Sequence, residues 1–317
     1  MPSKSNPVAG EKWLDAGFER PAVDREKLLD ASHKKPQWLH LGANDGCMIP
    51  SYLLQKLIEK KQIECGVILA ELKEYSCVDE SFTSNYNEGV YIRVNSKADI
   101  EKRVISSVVE TIKADKALYP ADWNVLVNIV RNPSLQVISI TLGKEINTIC
   151  TSAGKLNAHC ERDCENGPGH TVTKIGKITS LCLERFLAGE YPIALVSFDQ
   201  CPGNGSKLSE AVVRMAREWE TRKKISGGFL RWLNEPEIVT FPWTKIDHGI
   251  ERDSLPEDSV PSVLPESIVK MISKTRVPKL ITGKTAAFIF EDDFPNGRPP
   301  LENSDVILTT RDKLGYM

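Results

Sequence analysis

The chain has 317 residues, 41% hydrophobic and 26% charged, with a formal net charge of -2, a globular composition able to bury one large core or two modest ones. It has no basic excess for a phosphate backbone, so no nucleic-acid partner is expected. No apolar run reaches the roughly 18 residues of a membrane-spanning helix, and Met1 to Lys12 is polar, so neither a membrane nor a secretory route is expected and the location is taken as cytoplasmic.

Residues 1–36 are polar with the anchors Trp13, Leu14 and Phe18, and read as an extension packed on the main domain of residues 37–317. Trp38-Leu39-His40-Leu41 predicts a strand, Gly42-Ala43-Asn44-Asp45-Gly46 a turn, and Pro50 stands where it can open a helix carrying Leu53, Leu54, Leu57 and Ile58. Gly66 to Ala70 is a second strand closed by Glu71. The spacing of Ile100, Val104, Ile105, Val108 and Ile112 predicts a helical face, and Trp123 to Val130 another, stopped by Asn132-Pro133. A strand at Leu135 to Leu142, a helix through Ile175 to Phe186 and an apolar strand at Ile193 to Phe198 continue the alternation. Together these elements predict an α/β, Rossmann-like, doubly wound and mostly parallel sheet with helices on both faces.

After about Ser206 the strands thin out: Leu208 to Trp219 and Phe229 to Leu233 are predicted helices, and Ala286 to Phe290 a last strand. The eight cysteines are scattered, and reduced thiols are expected. Cys160 and Cys164, between His159 and His170, lack the tighter paired spacing of a structural zinc site. That segment reads as a surface loop, and no metal is expected. His40 is read as packing below the glycine turn.

A strand, a glycine turn and a helix N-terminus make an anion site for a dinucleotide pyrophosphate. Gly42, Ala43 and Asn44 are its candidate cofactor-binding residues, although Asn44 occupies the second glycine position of G-x-G-x-x-G and Gly46 is out of register for the third. Asn tolerates φ > 0 better than most residues. Glu71 suits the ribose hydroxyls and disfavours a 2′-phosphate, favouring NAD over NADP. The same loop could serve S-adenosylmethionine, or be an ordinary βαβ turn capped by a solvated glutamate.

Longer segments carry a more specific resemblance. Asp199-Gln200-Cys201-Pro202-Gly203-Asn204-Gly205 resembles the D-N-x-x-x-N-G segment of mannitol dehydrogenases and hexuronate (fructuronate, tagaturonate) reductases. Phe241 to Asp247 is similar to their F-P-x-x-x-x-D segment, and Glu291 to Pro299 to their E-D-x-F-x-x-G-R-P stretch. Glu165-Asn166-Gly167-Pro168 and Leu183-Glu184-Arg185-Phe186 fit between them.

The resemblance implies an oxidoreductase that is usually metal-independent and moves hydride between a polyol or hexuronate and NAD(P). It implies Asp199 and Asn204 on the cofactor side, and Gln200 and Asp247 on the substrate side. A helical C-terminal domain of that family supplies a catalytic Lys in a K-x4-N-x2-H pattern that occurs nowhere in this sequence. The expectation is therefore a nucleotide-binding domain without that helical domain, with no catalytic residue of its own, inactive alone, and open to self-association or to a separate C-terminal domain through an exposed interface. Other departures are Met48, where the family's G-x-G-N-x-x-R loop has Arg, Gln200 in place of its Asn, and Gly143 to Asn147 in place of T-E-K-G-Y. They support an alternative, a non-catalytic relative serving as a binding or interaction module. A methyltransferase would leave the later segments unexplained.

Overall fold

Short β-branched and aliphatic runs build the centre of the molecule, and helices cover it on both faces. The computed structural model describes residues 13–43, 45–96, 99–143, 145, 149, 155–249 and 264–315. Helix α1 (Arg25–Lys34) precedes β1 (Trp38–Leu41), α2 (Met48–Glu59) and β2 (Val67–Glu71). A π-helical turn, Cys77–Phe82, then leads to β3 (Gly89–Ser96), β4 (Asp99–Ile105) and β5 (Val108–Lys113). Next come α3 (Pro120–Arg131), β6 (Val137–Ile140), α4 (Ala158–Asn166), α5 (Lys174–Gly189) and β7 (Ile193–Ser197). The chain continues through α6 (Asn204–Thr221), α7 (Phe229–Leu233), β8 (Val239–Thr240), β9 (Thr244–Asp247) and α8 (Glu266–Thr275). It closes with β10 (Lys279–Gly283), β11 (Ala287–Glu291), β12 (Val306–Thr309) and α9 (Arg311–Gly315).

Six strands form one parallel sheet in the order β5-β2-β1-β6-β7-β8. This is the doubly wound Rossmann-like arrangement: the chain moves outward from β1 on one side, then returns to β6 on the other. Strand alternation assigns the faces. Leu39, Leu41, Ile68 and Ile138 join the core under α3, α5 and α6, whereas Trp38, Val67, Leu69 and Val196 join the core under α2 and β11. Two three-stranded sheets, β10-β3-β4 and β12-β11-β9, flank it. Trp13 and Phe18 pack into a third cluster with Val90, Val104 and Ile268.

Three sequence expectations are corrected. Residues 100–112 form β4 and β5 rather than a helix. Their β-branched side chains favour strands, and Ser106-Ser107 divides them, with Ser107 Oγ donating to the Ser51 carbonyl. Residues 158–166 are helix α4 rather than a surface loop, with Asn157 capping the first turn through His159 N and Cys160 N. Cys160 and Cys164, one turn apart, point into the core. Beyond Ser206 the strands do not thin out: β9, β10 and β12 are present and pair with partners distant in sequence.

At the end of the sheet where β6 and β7 begin, Arg185 of α5 is fully buried. Its guanidinium donates to the carbonyls of Val130, Asn132, Leu135, Tyr191 and Pro192. Asn296 Nδ2 reaches the Pro133 and Leu135 carbonyls at the same edge.

Candidate functional site at the strand switch point

Ligands of open α/β sheets bind beyond the carboxyl ends of the strands, where the strand order reverses. Here that place lies between β1 and β6. Gly42 leaves β1 with φ +119°, and a Cβ on it would sit 2.5 Å from the Thr141 carbonyl oxygen. Only glycine lets the two loops meet this closely. The Gly42 N–H donates to Ala70 O, tying the turn to β2 as well. Ala43 is buried beside it. Helix α2 starts at Met48 directly after a 3-10 turn, Asp45–Cys47, and no side chain caps it. Thr141 Oγ1 is buried at this junction with no hydrogen-bond partner.

His40 lies directly beneath. Its Nδ1 is 2.7 Å from Ser139 Oγ, which also accepts from Trp38 Nε1. Its Nε2 is buried without a partner, and the ring stacks on Phe198. Burial pushes its pKa down to about 3, so a neutral ring supports the turn.

Glu71 closes β2, and one carboxylate oxygen accepts from Val78 N at 2.9 Å. Burial raises its pKa, against the backbone N–H groups of Val78 and Cys77 and the charge of Lys174. The loop after β2 is held from below by Lys177, an almost fully buried ammonium donating to Leu72 O, Tyr75 Oη and Asp115. Desolvation lowers the Lys177 pKa, while Asp115 opposes that effect.

Asp199 and Asn204 are buried, and their polar atoms are engaged within the protein. Asp199 accepts from Leu142 N, Gly143 N and Ser197 Oγ, joining the loops after β6 and β7. Burial raises its pKa, opposed by the Gly143 and Leu142 N–H groups. Asn204 Nδ2 donates to Ser197 O, Asp199 O, Thr244 O and Thr244 Oγ1, and its Oδ1 accepts from Gly205 N and Thr244 N. These bonds make both residues frame members that position the crevice. Asn204→Ala should lower unfolding stability by about 2–3 kcal/mol, because several buried backbone groups lose their partner. Urea unfolding with an unchanged m-value would measure it, and a loss below about 0.5 kcal/mol would contradict this role.

Gln200 is exposed immediately after Asp199. Asp247 is exposed at the end of β9, accepting from Gly249 N. Thr244, which touches Asn204, lies three residues earlier, about 10 Å along the strand, so Asp247 is not drawn into the Asp199–Asn204 cluster. Asn44 lies outside the described residues. Met48 is fully buried rather than facing the turn. Phe241 is buried too, and in the last strand Ile307 is the exposed large apolar residue among those described. A cleft of about 530 Å³ opens elsewhere, along β11 and β12, where Arg311 pairs with Glu291.

Sequence reasoning missed Lys174, Lys177 and Thr141. Lys177 is a lysine at a core-facing position between Ile175 and Ile178, the one signal that could have marked it. Nothing local marks the other two.

No family model matches the chain. It is similar to a D-mannonate oxidoreductase of Thermotoga maritima, 32% identical over 310 residues, covering 95% of this chain and 56% of that protein. It is also 25% identical over 200 residues to a polyol:NADP oxidoreductase of Gluconobacter oxydans, covering 61% of this chain and 37% of that protein. The solved structure of a substrate-free D-sorbitol dehydrogenase matches the fold with a TM-score of 0.70 and 19% identity, over 94% of this chain and 57% of that one. A ternary complex of Pseudomonas fluorescens mannitol 2-dehydrogenase with NAD and D-mannitol matches with a TM-score of 0.69 and 17% identity, over 92% and 55%. The chain thus shares the fold of the matched part of these two dehydrogenases. The chain spans 56% and 37% of the lengths of the D-mannonate and polyol:NADP oxidoreductases, so it is similar to about half, or less, of each.

Proposed function

We propose that this chain binds NAD(H) at the β1–β6 crevice as part of an oxidoreductase acting on a polyol or a hexuronate. The observation that carries the proposal is the apposition of Gly42 and Thr141 beside the uncapped start of α2. A pyrophosphate there would face backbone N–H groups and the positive end of a helix. The unpartnered Thr141 Oγ1 is a polar group suited to the same ligand. The residues present fit a dinucleotide, which when bound supplies the hydride acceptor. Glu71 is the residue we assign to the ribose side. Its carboxylate disfavours a 2′-phosphate, so NAD is preferred over the NADP named for the Gluconobacter relative.

Gly42 and Ala43 border the phosphate site in this reading, Asn44 is assigned to it on its place in the sequence, and Asp199 and Asn204 hold the loops around it. Gln200 is assigned to the substrate side, where its amide can donate to a developing alkoxide, and Asp247 to a more distant polar edge. No proton-transfer step is assigned to a residue of this chain. Titration of the purified chain with NADH and NADPH, followed by NADH fluorescence, tests the proposal. Saturable NADH binding with NADPH at least about tenfold weaker is expected. No binding at millimolar NADH would overturn it and leave the non-catalytic module as the better account.

A further inference from the structure

A dinucleotide brings two phosphate charges into a crevice whose walls already carry Glu71 and Asp199. The turn after β1 and the start of α2 offer no cation among their described residues, since Ala43, Gly46, Cys47, Met48 and Ile49 are all uncharged. Lys177 is already spent on Leu72, Tyr75 and Asp115. Lys174 is placed differently. It is the first residue of α5, and its charge acts on both Glu71 and Asp199.

The base of this side chain is rigid. Thr173 caps α5 through Gly176 N, and buried Asp163 accepts from Val172 N, Thr173 N and Thr173 Oγ1. The ammonium itself is loosely held. Its distances are 3.4 Å to Leu142 O and 3.6 Å to Glu145 Oε1, well beyond the roughly 2.8 Å of a good charge-assisted bond. With 24% of its side chain exposed, it is neither sunk in the core nor free in solvent, so its field is only partly screened.

We infer that Lys174 is the cation that receives the dinucleotide pyrophosphate, and that Glu145 holds it in the nucleotide-free protein. Binding then exchanges one carboxylate oxygen for phosphate oxygens at the N-terminal end of α5, where the helix dipole also favours negative charge. This inference rests on the nucleotide-binding proposal, and the experiment separates the two.

NADH and ADP-ribose are titrated into the wild type and into Lys174→Gln, Lys174→Arg, Glu145→Gln and Lys73→Gln, with adenosine as a phosphate-free competitor. Lys174→Gln should weaken NADH and ADP-ribose by about tenfold or more and leave adenosine competition unchanged. Lys174→Arg should restore most of the loss, and Glu145→Gln should tighten binding about two- to threefold. The salt dependence of NADH binding should flatten in Lys174→Gln. An unchanged urea midpoint will confirm that substitution of this partly exposed lysine leaves the fold intact. Wild-type NADH affinity in Lys174→Gln, or an equal loss for adenosine, overturns the inference alone. So does a larger loss in Lys73→Gln, the exposed lysine beyond Glu71. A wild type that binds neither NADH nor ADP-ribose overturns the nucleotide proposal and the inference together.

Discussion

Arg185→Met should cost about 3–5 kcal/mol of unfolding stability, the largest loss expected from any single substitution discussed here. The guanidinium has five N–H donors, and each finds a carbonyl, at 2.6 to 3.0 Å. Those carbonyls belong to the end of α3 and to the entries of β6 and β7, so one side chain ties three chain segments together at this edge of the sheet. Desolvation lowers the Arg185 pKa to about 10, yet the group stays charged at neutral pH. Methionine fills similar volume and leaves all five carbonyls facing an apolar stem. Lysine is no substitute, because a compact ammonium with three donors cannot span them. Urea unfolding of Arg185→Met and Arg185→Lys measures both effects. A loss below about 1 kcal/mol for the methionine variant would mean that water or a rearranged loop replaces the guanidinium.

The second large effect is acid destabilisation through His40. Its folded pKa of about 3 lies below the ordinary value of 6.5. A depressed folded pKa means that the unfolded chain binds the proton first, so this stability is complete above about pH 6.5 and falls as pH falls. The slope is about 1.4 kcal/mol per pH unit, for a total of roughly 4–5 kcal/mol near pH 3. Glu71 and Asp199, with raised pKa values, act in the opposite direction. The contribution of His40 is therefore read from the difference between wild type and His40→Leu, with His40→Gln as a second variant. The difference in unfolding free energy should change steeply between pH 6.5 and 4.5, and a difference independent of pH would refute the assignment.

Much of the central sheet was legible in the sequence. β1, β2, β6 and β7 are apolar strands bounded by Gly, Pro or acidic residues, and α3, α5 and α6 carry helical spacing over three or more turns. The flanking sheets were harder to read. β4 and β5 mix Ile and Val with charged residues, so their apolar positions also match helical spacing over a short window. β9, β10 and β12 are four or five residues long and gain their pairing from partners far along the chain.

The site was legible by location but not by role. Gly42, Glu71, Asp199 and Asn204 do border or frame the switch-point crevice, because strand ends followed by glycine or acid mark that edge. Whether a loop carboxylate points outward or back into its own backbone depends on neighbouring loops, which local sequence does not encode. Asp199 and Asn204 point inward. Arg185, Asn296 and Arg298, part of the segments that carried the family resemblance, likewise hold backbone or ion pairs. The resemblance was therefore read largely from polar residues that hold the scaffold.

One contact joins the start of α2 to a distant part of the fold. Met48 begins α2, and a Cβ added to Gly89 would lie 2.2 Å from Met48 Cε. Gly89 in turn opens β3, which pairs with β10. A longer charged residue at 48 needs new room at the β3–β10 sheet, and a side chain at 89 must displace the flexible end of Met48 and crowds the Pro278 carbonyl oxygen 3.0 Å away. The two positions should substitute jointly across related sequences.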